Sequence, residues 1–136
     1  MTRYHIDGTA ADDGQVFVFG SNLSGIHGAG AARAARTQYG AQWGVAEGPT
    51  GEAYAIPTVQ AQIAGPLSLD EIRAAVDRFI AYATAHPESQ FFVTRIGCGL
   101  AGHRDRDVAP MFATAPENCS LPDTWKPILE DVCATK

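Results

Sequence analysis

The sequence predicts one α/β domain over residues 1–136, a mostly parallel or mixed sheet flanked by helices in three layers. Three observations predict it. Apolar runs of strand length alternate with helix-forming stretches, the pattern of successive strand–helix units. Two runs, Val16-Phe17-Val18-Phe19 and Phe91-Phe92-Val93-Thr94-Arg95-Ile96, are apolar, the second at nearly consecutive positions, as a strand covered on both faces is. Each then enters a glycine-rich turn followed by a helix-like stretch: Gly20-Ser21-Asn22-Leu23-Ser24-Gly25-Ile26-His27-Gly28-Ala29-Gly30 after the first, Gly97-Cys98-Gly99-Leu100-Ala101-Gly102 after the second.

The elements follow in order. Residues 1–14 are polar and end in Ala11-Asp12-Asp13-Gly14, which reads as a short arm or edge strand before the first confident strand, Gln15 to Phe19. Ala29 to Tyr39 is alanine-rich and helix-forming, and Gly40 stands where a left-handed cap belongs. Residues 41–52 are rich in glycine and read as a loop with room for a short irregular strand. Ala53 to Pro57 reads as a strand with Pro57 at its end, because proline lacks the N–H that an interior ladder needs. The clearest helix comes next: Ser68 and Glu71 form a capping box, Leu67 and Ile72 stand at the staple positions, and Ile72, Val76, Phe79, Ile80 and Ala83 recur at helical spacing until His86-Pro87. Phe91 to Ile96 is the next strand. Asp107 is placed to cap a short helix through Met111 and Phe112, Asn118 to Leu121 reads as a last short strand, and Thr124 to Val132 as a terminal helical turn or two.

Composition limits the function classes. With 46% hydrophobic residues, the chain can bury about 68% of its unfolded surface, enough for a core without staples. A formal net charge of −5 gives no general attraction for a polyanion, which argues against general nucleic-acid binding. No stretch approaches a membrane span, and the opening residues lack the apolar core of a signal peptide, so no membrane partner and a cytoplasmic location are expected. Three cysteines, Cys98, Cys119 and Cys133, without CxxC spacing give neither a disulfide framework nor a zinc knuckle, and no metal or cofactor is expected.

Glycine clusters at strand ends turn the chain tightly or let a ligand approach main-chain N–H groups. Two such loops at neighbouring strand ends would make a crevice for a phosphate-bearing small molecule. The spacing Gly28-x-Gly30-x-x-Arg33 departs from a dinucleotide fingerprint at Arg33, and no GKS or GKT string marks a P-loop. His27 and His103 lie in or beside the loops, where an imidazole serves as acid, base or phosphate ligand; exposed loop histidines are the alternative. Cys98 is either an activated thiolate, if His27 or Arg95 is close, or a small side chain packed beneath its loop. Arg95, inside an apolar run, needs an anionic partner, either a ligand phosphate or an internal carboxylate such as Glu47 or Glu52, with the internal pair favoured. Asp105 and Asp107 alternate with Arg104 and Arg106 as in a solvated helix start with salt links. Trp43 and Tyr54 offer either an adenine-stacking face or core, and Trp125 packs the tail against the sheet.

The run Arg95-Ile96-Gly97-Cys98-Gly99-Leu100, with Asn22 and a glycine loop feeding an alanine-rich helix, resembles the macro domain, the ADP-ribose-binding α/β module. The second loop is similar to that of the terminal ADP-ribose glycohydrolase subclass. Val16 to Ala32, Ala55 to Thr58 and Val93 to Phe112 look like small bacterial and phage proteins of macro-like fold, and the resemblance runs from residue 15 to about 125. It implies that the loops embrace the diphosphate and distal ribose of an ADP-ribose-like ligand, free or carried on an ADP-ribosylated macromolecule. The ligand set it implies is Gly20, Ser21, Asn22, Gly28, Ala29, Gly30, Gly97, Cys98, Gly99, Leu100, Ala101, Gly102 and His103, with Asn22 against the ribose and, beside His27, a candidate for catalysis; an Asx turn is the other role for Asn22.

The chain also departs from that pattern. Where the glycohydrolase subclass has an aspartate after glycine-leucine, Ala101 stands here, and no lysine precedes Lys126, so the lysine–aspartate mechanism is absent. Asp12 and Asp13 are the candidates to read adenine, with a solvated turn as their other role. Three functions follow as expectations: binding of an ADP-ribose-like metabolite, with or without hydrolysis of an ADP-ribosyl derivative; a non-catalytic interaction protein on the same scaffold; or a Cys98-dependent transferase or hydrolase.

Overall fold

The computed structural model describes residues 2–12, 14–23, 30–60, 65–98 and 102–134. The elements, in chain order, are β1 (Arg3–His5), β2 (Gln15–Asn22), α1 (Gly30–Gln38), β3 (Gly48–Thr50), β4 (Ala53–Val59), α2 (Leu69–Ala85), β5 (Gln90–Val93), α3 (Asp105–Val108), a 3-10 turn (Ala109–Phe112), β6 (Cys119–Pro122), a second 3-10 turn (Asp123–Trp125) and α4 (Lys126–Ala134). Among the described residues the strands form one six-stranded sheet in the order β1-β6-β5-β2-β4-β3. Every neighbouring pair is parallel except β3 with β4. The expected α/β architecture and mixed sheet are thus observed.

Strand order dictates which face each helix covers. The chain steps from β2 outward to β4, then reverses, crossing back to β5 and on to β6. Parallel crossovers are right-handed, so a reversal of direction sends the connecting helices to opposite faces. On one face α1 covers Phe17, Phe19, Ala53, Ala55 and Phe92 through Ala35. On the other, α2 and the segments after β5 bury Val18, Tyr54, Ile56, Phe91 and Val93 against Ile72, Val76, Phe79, Phe112 and Trp125. Adjacent residues on each strand alternate between the two cores, which is why these strands read as unbroken apolar runs.

Several local expectations hold. Ser68 Oγ accepts from Glu71 N at 3.2 Å while Ser68 N donates to Glu71 Oε1 at 3.2 Å, closing the capping box at the start of α2. Gly40, at φ +73°, follows α1 as a left-handed residue. The N-terminal segment forms the edge strand β1, and loop 41–52 contains β3.

Other expectations are corrected. β2 runs to Asn22 rather than Phe19, because β4 offers it a ladder as far as Asn22–Val59. Pro57 lies inside β4, not at its end. It is tolerated there because the β3 ladder stops at Gly48–Ala55, and its missing N–H interrupts no pairing on that side. β5 ends at Val93, not Ile96: Thr94 N and Thr94 Oγ1 both donate to Val18 O, at 3.1 and 2.7 Å, and the chain then turns. The helix near Asp107 begins at Asp105 with Arg104 as its cap, and Asp107 sits within it, bonded to Arg104 Nε at 3.2 Å. No described helix is long and apolar enough to cross a membrane.

Candidate functional site

The two glycine loops leave the sheet from neighbouring strands. β2 and β5 are adjacent and parallel, and their outgoing connections diverge, one toward β4 and the other toward β6. Such a point leaves a crevice beyond the carboxyl ends of the strands, where open α/β sheets bind ligands. Register deepens it: the β2–β5 ladder stops at Val18–Val93, whereas β2 continues beside β4 for four residues more. Gly20, Ser21 and Asn22 therefore overhang the point where β5 turns away.

Gly20 lies in the overhang, and a Cβ added to it would stand 3.1 Å from Thr58 Oγ1 and 3.7 Å from the backbone N of Gly97. Its small size lets the base of the second loop approach β2. Thr58, a buried residue that the sequence did not single out, donates from Oγ1 to Ser21 O at 3.3 Å and holds the overhang to β4. The signal for it was faint: a threonine among apolar strand residues. Ser21 is buried and its hydroxyl donates to Ala46 O, fixing the chain that enters β3.

On the second loop, Gly97 has φ +74°, a conformation that strains any residue with a Cβ, and Val108 Cγ2 would crowd such an atom at 3.4 Å. His103 N donates to Gly97 O at 2.7 Å, closing the loop. The His103 ring is half-buried and its Nε2 contacts Leu67 O at 2.9 Å. A carbonyl only accepts, so Nε2 carries the proton and, in the neutral ring, Nδ1 is the acceptor. Gly102 is exposed. Gly30 opens α1. His27, Gly28, Ala29, Gly99, Leu100, Ala101 and Asp13 lie outside the described residues.

Arg95 does not pair with Glu47 or Glu52. It makes a bidentate bond to Asp105, Nε to Oδ1 at 2.9 Å and NH2 to Oδ2 at 2.7 Å. Turning out of the sheet after Thr94 brings it to the start of α3, while Glu47 is taken by Arg78 at 2.9 Å. Nor is Arg95 deeply buried: its side chain is 37% exposed. The Arg95 fork is the main cause holding the Asp105 carboxyl below its ordinary value, helped by Trp125 and Cys98.

Cys98 is half-buried. Burial first, and then the bond to Asp105, push its thiol up to about 12, outweighing the opposite pull of Arg95. At neutral pH it is a thiol, which removes the activation that a Cys98-dependent reaction needs. Tyr54 is 4% exposed and stacks edge-on against Phe79, so it belongs to the core. Trp43 is exposed with Arg36 over its ring at 5.2 Å. Trp125 is fully buried, as its packing role requires. Among the described residues no cluster of histidine, cysteine or carboxylate could hold a metal ion.

A mixed, mostly parallel sheet flanked by helices, with a switch point between β2 and β5, defines an α/β domain of the class that binds ligands beyond its strand ends. Its fold is macrodomain-like. The "Macrodomain of Mycobacterium tuberculosis DarG" superposes with a TM-score of 0.62 at 19% identity, covering 90% of this chain and 97% of that one. A protein of unknown function from Bacteroides thetaiotaomicron gives 0.60 at 17% identity, with the same 90% and 97% coverage. At these identities the likeness is one of fold. No family model and no curated protein matches the sequence.

Proposed function

We propose that the protein binds ADP-ribose or a related nucleotide metabolite, free or attached to a macromolecule, in the crevice between residues 20–30 and 97–103. The observation that carries this reading is the adjacency of β2 and β5 at the switch point, with Gly20 close against Gly97. Backbone N–H groups of Gly28, Ala29 and Gly30 at the start of α1 hold one phosphate, aided by the helix dipole. Those of Gly97, Cys98, Gly99, Leu100 and Ala101 hold the other side of the diphosphate. Asn22, at the end of the β2 overhang, orients the distal ribose. His103 and Gly102 close the second loop.

The chemistry of the crevice supports recognition more strongly than turnover. No lysine precedes Lys126, Ala101 replaces an acid, and Cys98 is protonated. Hydrolysis of an ADP-ribosyl bond here proceeds by water activation, with Asn22 orienting the sugar and His27 the candidate base. Calorimetry with ADP-ribose, AMP and inorganic phosphate tests the binding, and product analysis with ADP-ribosylated protein or nucleic acid tests the reaction. We expect saturable heat with ADP-ribose, lost in Gly28→Val and Gly99→Val while circular dichroism stays unchanged. Absence of heat from the folded wild-type protein overturns the nucleotide reading and leaves the interaction scaffold.

A further inference from the structure

The second glycine loop departs just after Arg95 and returns at Asp105, and these two residues clasp its base. The clasp is a two-bond fork, 2.9 and 2.7 Å, which fixes orientation as well as distance. One step further in, His103 N to Gly97 O at 2.7 Å makes a second rung. Outside the loop, the indole of the wholly buried Trp125 donates to Asp105 Oδ1 at 2.8 Å, tying the clasp to the core. Inside it, Asp105 adds to burial in pushing the Cys98 thiol up to about 12. A carboxylate offers roughly four acceptor positions, and two bonds from Arg95 with one from Trp125 take three of them. Arg95 NH1 also lies 3.6 Å from Asp7 Oδ2, which brings the segment after β1 into the same network.

We infer that Asp105 is the positioning residue of the second loop: by holding Arg95 at the loop's entrance and Trp125 beneath it, its carboxylate fixes the two ends of the loop, residues 95–98 and 102–105, before ligand arrives. Ends so held lower the entropy cost of ordering the loop on binding. Asp105 touches no ligand in this account. The inference rests on the proposed nucleotide reading of the crevice for its effect on affinity, but its effect on Cys98 is independent of any ligand.

Asp105→Asn and Asp105→Glu separate the two. The first arm is alkylation of Cys98 by iodoacetamide in the folded protein at pH 8.5, followed by peptide mass spectrometry. Losing the negative acceptor in Asp105→Asn frees the thiol to ionise, and we expect labelling ~10-fold faster, the factor that one unit of thiol pKa carries. Asp105→Glu, which keeps the charge, should label at an intermediate rate. The second arm is the ADP-ribose dissociation constant by calorimetry, expected to rise ~10-fold or more in Asp105→Asn and to recover in part in Asp105→Glu. Glu47→Gln, which breaks the distant Arg78 pair, is the control for a merely destabilised protein and should leave both readouts unchanged. If Asp105→Asn does not fold, Trp125→Phe removes one of the bonds while leaving the charge, and is read by the affinity arm alone, where an unchanged dissociation constant overturns the inference. Wild-type protein that binds no ADP-ribose defeats the proposed function alone, and the alkylation arm then decides the clasp. An unchanged labelling rate, or unchanged affinity in a wild type that binds, overturns the inference.

Discussion

Gly20 and Gly97 come from different strands and meet at the base of the crevice, where a Cβ on the first would stand 3.7 Å from the backbone N of the second. The same atom would press Thr58 Oγ1 at 3.1 Å, so the space is closed from two sides. We expect Gly20→Ala to fold with a loss of about 1 kcal/mol from overpacking. It should weaken ADP-ribose binding by about tenfold, the equivalent of 1.4 kcal/mol. Denaturant unfolding and calorimetry on the same preparation read both numbers. Wild-type affinity in the variant would mean that this approach has no part in shaping the site.

The capping box at Ser68 offers a test of local stability away from the loops. Ser68→Ala removes the acceptor for Glu71 N and should cost about 1 kcal/mol. For a domain of this size that lowers Tm by about 4 °C. Thermal melts followed by circular dichroism give the shift. Ligand affinity should not change, since neither Ser68 nor Glu71 is among the residues proposed to hold the ligand.

Alkaline pH should destabilise the fold over a defined window. Burial is the first cause that pushes Cys98 and Cys119 from 9.0 to about 12, and Tyr54 from 10.0 to about 12. Each raised value means that the folded protein keeps a proton the unfolded chain releases. Their contribution is complete below the unfolded values and is lost as pH rises from about 9 toward 12. Urea midpoints at pH 8, 9, 10 and 11 should fall progressively, and less steeply in Cys119→Ala. A flat series would contradict the assignment.

Acid acts at the β1 edge of the sheet. His5 stacks on Phe92 with ring centroids 3.7 Å apart, and its Nδ1 lies 2.8 Å from Ser120 Oγ. Burial lowers its pKa from 6.5 despite the nearby charges of Asp7 and Asp123. The neutral ring is favoured in the fold, so its contribution is present above 6.5 and is lost as pH falls through the lower folded value. Hydrogen exchange of β1 amides should therefore accelerate on acidification before the central strands respond. His5→Phe, which keeps the stack, should remove that acid-dependent step.

Much of this protein is legible along the chain because its signals are short-range. The capping box at Ser68 and Glu71, the left-handed turn at Gly40 and the two-faced run that begins at Phe91 depend on residues a few positions apart. The macrodomain-like fold was legible for the same reason, from contiguous strings. What failed were boundaries and partners set by distant chain. β2 gains its last residues from β4, Pro57 is accommodated because β3 is short, and Arg95 finds Asp105 because the chain turns at Thr94.

By itself, the sequence determined the alternation of strands and helices, the glycine loops and the absence of a lysine–aspartate pair. Only the tertiary structure decided that β2 and β5, 75 residues apart at their paired Gln15 and Gln90, lie side by side. It also decided that one carboxylate clasps the second loop. Local propensity acts over one or two turns of chain. Strand order and ion-pair partners are chosen by which faces can be buried together, and that choice is made by the whole domain at once.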